Sequence, residues 1–197
     1  MSELDRLMED YLRRFLEGNR AARHLAEGLD RLGVGLAPLV DHCTIRTHDV
    51  DQRARPFLEM GYRYDEGIGV LEFNTWWAKV YRQPGYPALF IDQAFEGARG
   101  RESLIPEWVD AHGDQCFHHI AVRVEDIERA MAALRRDGFE FAGEVVGAPG
   151  TDLRQVFTRP EMKDGKVYTV LELIERHHGY EGFLPPQADG LMESTRR

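Results

Sequence analysis

The chain has 197 residues, with 34 acidic against 25 basic side chains and a formal net charge of −9. That length supports one well-buried domain or two small fused modules. The negative balance excludes nucleic acid and anionic membrane as default partners, so an anionic ligand would have to be held by arginines placed locally.

An apolar fraction of 43% and a charged fraction of 30% are ordinary for a soluble globular chain. No run of about 18 apolar residues predicts a membrane span. The start, Met1 to Asp5, lacks the basic-then-apolar order of a signal peptide, so the expected location is cytoplasmic. Cys43 and Cys116 form no framework and read as buried thiols in a reducing compartment, with a redox pair as the alternative.

Residues 1–37 predict a helical hairpin. Leu4, Leu7, Met8, Tyr11, Leu12 and Phe15 recur at spacings of three and four, Gly18-Asn19 interrupts them, and a second helix runs through Ala22 to Leu32 before Gly33. A first βαβββ module is expected over residues 38–93. Its opening strand, Val40 to Thr47, alternates so that His42, Thr44 and Arg46 share one face while Cys43, Ile45 and Thr47 share the other. Asp49 is positioned to cap a helix from Val50 to Met60, in which Pro56 predicts a kink or a late start. Strands are expected next at Tyr62 to Asp65, Val70 to Phe73, Trp77 to Arg82 and Ala88 to Asp92.

Residues 94–115, with several Gly and a Pro, read as a connector. A second βαβββ module covers 116–178. It has a strand around His119 to Val124, a helix from Asp126 to Arg136, and strands at Phe139 to Val146, Arg154 to Thr158 and Lys166 to Ile174. A Gly- and Pro-rich tail occupies 179–197.

The two modules are copies of one another. A shift of 77 positions lays His42 under His119, Arg46 under Arg123, Asp49 under Asp126 and Gly61 under Gly138. The fold class is therefore α+β: tandem modules closing a cupped mixed sheet, behind an N-terminal helical hairpin. Pairing of modules between subunits, as a homodimer, is the alternative to pairing within one chain.

The duplication also points to chemistry. Glu172 stands in the middle of an apolar strand, where an unpaired carboxylate would cost several kcal/mol, so something must neutralise it. Two neutral imidazoles and one carboxylate leave open positions on a divalent metal, the facial arrangement of non-haem Fe(II) chemistry, and His42, His119 and Glu172 supply that set. A lone strand histidine is more often structural, but these two occupy equivalent places in a repeat. His118 is the rival to His119 and Glu175 the rival to Glu172; His177 and His178 read as a solvated turn.

Arg46 lies on the His42 face and could fold back to grip a carboxylate on a metal-bound substrate, with Arg123 as its weaker counterpart. Gln155, on a strand beside the proposed site, could hydrogen-bond a substrate oxygen.

The tandem repeat with His42, His119 and Glu172 resembles the vicinal oxygen chelate superfamily of glyoxalases, epimerases and dioxygenases. The segments Arg154 to Pro160 and Leu171 to Arg176 look like the end of 4-hydroxyphenylpyruvate dioxygenase. The N-terminal helices, Asp41 to Thr47, and Ala188 to Thr195 look like the 2-oxoadipate dioxygenase/decarboxylase family.

That resemblance implies Fe(II), with Mn, Zn or Ni as alternatives, on His42, His119 and Glu172. It implies Arg46 on the substrate carboxylate and Gln155 near the substrate. The reaction implied uses O2 to decarboxylate and hydroxylate a small 2-oxo acid such as 2-oxoadipate. A metal-dependent glyoxalase, epimerase or lyase, and a non-catalytic binding module, are the other readings.

Overall fold

The computed structural model describes residues 1–195. Helix α1 (Glu3–Gly18) starts in a capping box: the Ser2 hydroxyl accepts from Asp5 N–H and the Asp5 carboxylate accepts from Ser2 N–H. Asn19 ends α1 and caps α2 (Arg20–Asp30), accepting from Ala22 N–H. The hairpin expected from the periodicity is present.

The remaining elements are β1 (Val40–Arg46), α3 (Val50–Glu59), β2 (Arg63–Tyr64), β3 (Val70–Glu72), β4 (Trp76–Arg82), β5 (Ala88–Ala94), α4 (Ile105–His112), β6 (His119–Arg123), α5 (Ile127–Arg136), β7 (Leu153–Phe157), β8 (Met162–Lys163), β9 (Lys166–Val167), β10 (Val170–Arg176) and α6 (Pro185–Ser194). An eight-stranded mixed sheet runs β2-β4-β5-β1-β6-β10-β7, with β3 paired to β4. The halves join within one chain where β1 meets β6 antiparallel, Thr44 opposite His119 and His42 opposite Ala121.

Strand parity divides the sheet into two faces. Cys43, Ile45, Ile120, Val122, Leu171 and Leu173 point to the side covered by α1, α2, α3 and α5, in a core with Tyr11, Phe15, Phe57 and Met131. Each aliphatic side chain at 0% exposure there, such as Ile45 or Ile120, contributes about 1.5–3 kcal/mol of burial. The opposite, cupped face carries His42, Thr44, Arg46, His119, Gln155 and Glu172 around a cavity. Among the described residues no helix is long and apolar enough to cross a membrane.

Several elements depart from the expectation. α3 starts at Val50 with Asp49 as its cap, so Pro56 lies inside the helix without delaying its start. The run from Phe139 to Val146 is not a strand. It meets β7 and the residues just after it through the isolated bridges Phe141–Thr158 and Val146–Gln155, since Ala142 and Val146 bond Phe157 and Gln155, which spread four residues against two.

The connector holds α4, whose Pro106 falls in the first turn, where a missing N–H costs nothing. The tail holds α6, likewise opened by Pro185, with Leu191 and Met192 buried. Both thiols are free; Cys43 is buried, but Cys116, before β6, is only half-buried.

Candidate metal centre and its cavity

Three side chains from three central strands meet on the cupped face. His42 from β1 is 2% exposed and Glu172 from β10 is 1% exposed. His42 Nε2 lies 3.3 Å from Glu172 Oε2, and His119 Nε2, from β6, lies 3.2 Å from the same oxygen. One ligand atom from each falls within 4.8 Å of the other two. Ligands about 2.1 Å from one ion and at right angles stand about 3.0 Å apart, so the arrangement fits a divalent cation. The convergence comes from the register: Thr44 faces His119 across one ladder and Ala121 faces Glu172 across the next, which sets the histidines on a diagonal and the acid beside them.

Each of the three has a supporting partner. The Asp41 carboxylate sits 3.0 Å from His42 Nδ1. Asp41 is itself gripped by Arg176 through two bonds of 2.8 Å and by Arg123 at 2.6 Å. His119 Nδ1 shares a 3.0 Å hydrogen bond with His118 Nδ1. Gln155 Nε2 donates to Glu172 Oε1 at 2.6 Å. These contacts fix ring orientation and turn His42 Nε2, His119 Nε2 and Glu172 Oε2 toward one another, with His119 Nε2 also hydrogen-bonded to the Thr44 hydroxyl at 2.8 Å.

Electrostatics describe a site that demands positive charge. Burial works to raise the Glu172 carboxyl, but the His42 and His119 rings outweigh it and hold the group down at about 2. Burial lowers His42, yet Glu172 and Asp41 overcome it and lift the ring to about 9, so it carries a proton between the two carboxylates. For His119 burial wins over Glu172 and the ring falls to about 4, neutral at pH 7. Two imidazoles and one carboxylate could therefore hold a divalent ion, which would take the place of that proton.

Beyond the three residues the cavity is walled by Phe90, Phe157, Phe183, Leu191 and Met192, and its polar groups are short of partners. Arg46, 3% exposed, reaches no carboxylate among the described residues: one nitrogen meets the Met192 sulfur at 2.9 Å, the guanidinium stands 5.8 Å from the Trp108 ring, and Nε has no partner. Its burial lowers it to about 10, against the pull of Asp92. Asp92 Oδ1, Trp76 Nε1 and His118 Nε2 are likewise buried without a hydrogen-bond partner.

His42, His119 and Glu172, predicted as ligands, are thus together, with Arg46 and Gln155 lining the same cavity. His118 faces the cavity but bonds His119 rather than standing with the three. Glu175 is on the other face, where it accepts from Ile127 N–H and bonds Arg154 and His177. Arg123 is bound to Asp41 and Glu181, outside the cavity.

The supporting role of Asp41, the second imidazole of His118 and the acid Asp92 were not foreseen. Asp41 directly precedes His42, and Asp92 is an isolated acid directly after the apolar run Ala88 to Ile91. Both were visible signals.

A cupped sheet made of two joined half-domains, with a buried His-His-Glu cluster on its concave face, defines the glyoxalase-like class. The chain belongs to the Glyoxalase/Bleomycin resistance protein/Dioxygenase superfamily, whose model matches residues 41–157. No curated protein sequence matches it significantly.

Among solved structures it is similar to hydroxyglutarate synthase from Oryza sativa in complex with 2-oxoadipate: TM-score 0.72, 17% identity, 96% of this chain and 90% of that one covered. It is also similar to a variant of 4-hydroxymandelate synthase from Streptomyces coelicolor, with TM-score 0.63, 19% identity, 82% of this chain and 54% of the other. Methylmalonyl-CoA epimerase from Mycobacterium tuberculosis gives 0.51 at 20% identity, over 72% of this chain and 89% of that one. At these identities the likeness is one of fold.

Proposed function

We propose that the protein is an Fe(II)-dependent dioxygenase that decarboxylates and hydroxylates a small 2-oxo acid, 2-oxoadipate or a close relative. One O2 is consumed per substrate: the oxo acid loses its carboxyl carbon as CO2, one oxygen atom enters the new carboxylate and the other becomes a hydroxyl.

The observation that carries this reading is Arg46, a buried guanidinium without a carboxylate partner, on the same strand face as His42. A buried cation left so is costly, and an anionic substrate group would satisfy it. The rice synthase, similar in fold, was solved with 2-oxoadipate, a 2-oxo acid with a second carboxylate.

His42, His119 and Glu172 would hold the metal, which when bound supplies the means to bind the oxo acid and reduce O2. Arg46 lies four residues from His42, about 13 Å along an extended strand, a separation at which its side chain would orient the far carboxylate of a metal-bound substrate. Phe90, Phe183, Leu191 and Met192 keep water from the reacting end. Gln155, through its bond to Glu172 Oε1, keeps Oε2 turned toward the histidines.

A second reading, metal-dependent isomerisation or epimerisation, needs a proton-transfer group. Asp92, buried and raised to about 7, is such a group, but its register places it level with Arg46 and four residues from the strand position level with His42.

The test is oxygen uptake and CO2 release by iron-loaded protein over a panel of 2-oxo acids. We expect stoichiometric uptake with a dicarboxylic member, and a KM raised about 100-fold by Arg46→Ala with iron binding intact. Silence with every oxo acid, beside anaerobic turnover with Ni or Co, would move the protein to the second reading.

A further inference from the structure

Arg46 and Asp92 occupy paired positions on the parallel strands β1 and β5, so both side chains leave the same face of the sheet at the same height. The same ladder pairs His42 with Ala88, four residues back. The two charges therefore mark the end of the cavity remote from the His-His-Glu cluster. They are opposite in sign and both almost wholly buried, at 3% and 2% exposure, yet no ion pair joins them, and Arg46 Nε and Asp92 Oδ1 each lack a partner.

Burial without a bonded cation lifts Asp92 to about 7 despite the pull of Arg46. Buried charges left in this condition are rare and costly, and a ligand that supplies the missing partners removes the cost. The indole Nε1 of Trp76 and the Nε2 of His118 add two further unpartnered polar atoms on the same cavity wall.

A carboxylate alone satisfies Arg46 and worsens Asp92, because it adds a second negative charge beside a buried acid. What satisfies both is an acceptor and a cationic donor on neighbouring atoms. We propose that this end of the cavity is a subsite for an α-amino acid head group, with Arg46 on its carboxylate and Asp92 on its ammonium. The preferred substrate is then a close relative of 2-oxoadipate, with the reacting oxo acid at one end and an amino group beside the far carboxylate, and a plain dicarboxylic oxo acid is a poorer one. Asp92 becomes the residue that tells such a molecule from a plain dicarboxylic oxo acid. This deepens the dioxygenase reading and rests on it for the direction in which the substrate lies.

Calorimetric titration of zinc-loaded protein, which cannot turn over with O2, tests it with matched probes: 2-aminoadipate against adipate, and 2-hydroxyadipate as a third. The aminated acid is expected to bind about ten- to a hundredfold tighter than adipate, the range for a hydrogen bond to a charged group. Asp92→Asn should erase that ratio by weakening 2-aminoadipate and strengthening adipate, opposite changes that loss of fold would not mimic.

Equal binding of the two acids by the wild-type protein would overturn the subsite, as would a preference kept by the variant or one matched by 2-hydroxyadipate. Because no turnover is read, failure of the dioxygenase reading leaves this titration intact. Oxygen uptake with a plain dicarboxylic oxo acid, beside wild-type indifference to the amino group, would sink this inference alone.

Discussion

Asp41 Oδ1 stands 3.0 Å from His42 Nδ1, the ring nitrogen turned away from Glu172. A carboxylate there sets the tautomer, since it requires a proton on Nδ1 and leaves Nε2 with a free lone pair when the ring is neutral. It also holds the ring plane, because Asp41 is pinned by Arg176 on one side and Arg123 on the other. Asp41→Asn keeps the shape but lets the amide offer its NH2 to the ring. Metal affinity, read by competition with a chromophoric chelator, should fall about 10–100-fold. The melting temperature should fall too, as Arg176, with a side chain 4% exposed, is left without its carboxylate.

Glu172 and Glu175 are three residues apart and on opposite faces, so their amides should fail in different ways. Glu172→Gln removes the charge that the two histidines surround and should abolish stoichiometric metal binding. Glu175→Gln removes the negative charge that faces Ile127 N–H at the start of α5 and that pairs with Arg154. It should lower stability by a few kcal/mol while metal content stays at wild-type level. Metal analysis and thermal melting on the same two samples separate them. A Glu175 variant that loses metal but not stability would contradict the opposite facing of the two acids.

The duplication carried the histidines into view because a strand before a helix must repeat its facing, and an imidazole on the wet face appears in both copies. It misled about the two arginines. β1 and β6 run antiparallel, so Arg46 and Arg123, equivalent in the repeat, leave the seam at opposite ends: Arg46 enters the cavity and Arg123 reaches Asp41.

Glu172 was legible from cost alone, an acid in an apolar strand. Asp92 obeys the same rule less visibly, because it follows the apolar run 88–91 and so reads as the polar end of a strand rather than its middle. Nothing in the Pro- and Gly-bearing stretches announced α4 and α6, because their apolar residues are too few to show a period. They are held by burial of Trp108, Leu191 and Met192 against the sheet rather than by local preference.

Gln155 donates to Glu172 Oε1 at 2.6 Å from within a buried strand, so its amide acts on the carboxylate whether or not substrate is bound. Gln155→Ala should loosen metal binding about tenfold by freeing the carboxylate to rotate. Gln155→Glu should be worse, since two buried carboxylates would then share one site. If both variants bind metal as the wild type does and change only KM, the amide serves the substrate alone.

Asp92 gives the protein a pH dependence whose sign can be worked out. Its carboxyl sits at about 7 in the fold, because burial raises it more than Arg46 lowers it, against 3.8 for the free group. Between those values the folded chain holds a proton that the unfolded chain has lost, so stability falls as pH rises through this window. Below it both states are protonated and no penalty applies; above about 7 the full penalty applies, on the order of 4 kcal/mol. Asp92→Asn cannot ionise. Metal-free variant and wild type should therefore differ least below about pH 4 and diverge steadily up to about pH 7, with the variant the more stable. Taking the difference between the two proteins at each pH cancels the titration of His42 and the other groups they share. Parallel melting curves over the whole range would mean that Asp92 already has a cationic partner in solution.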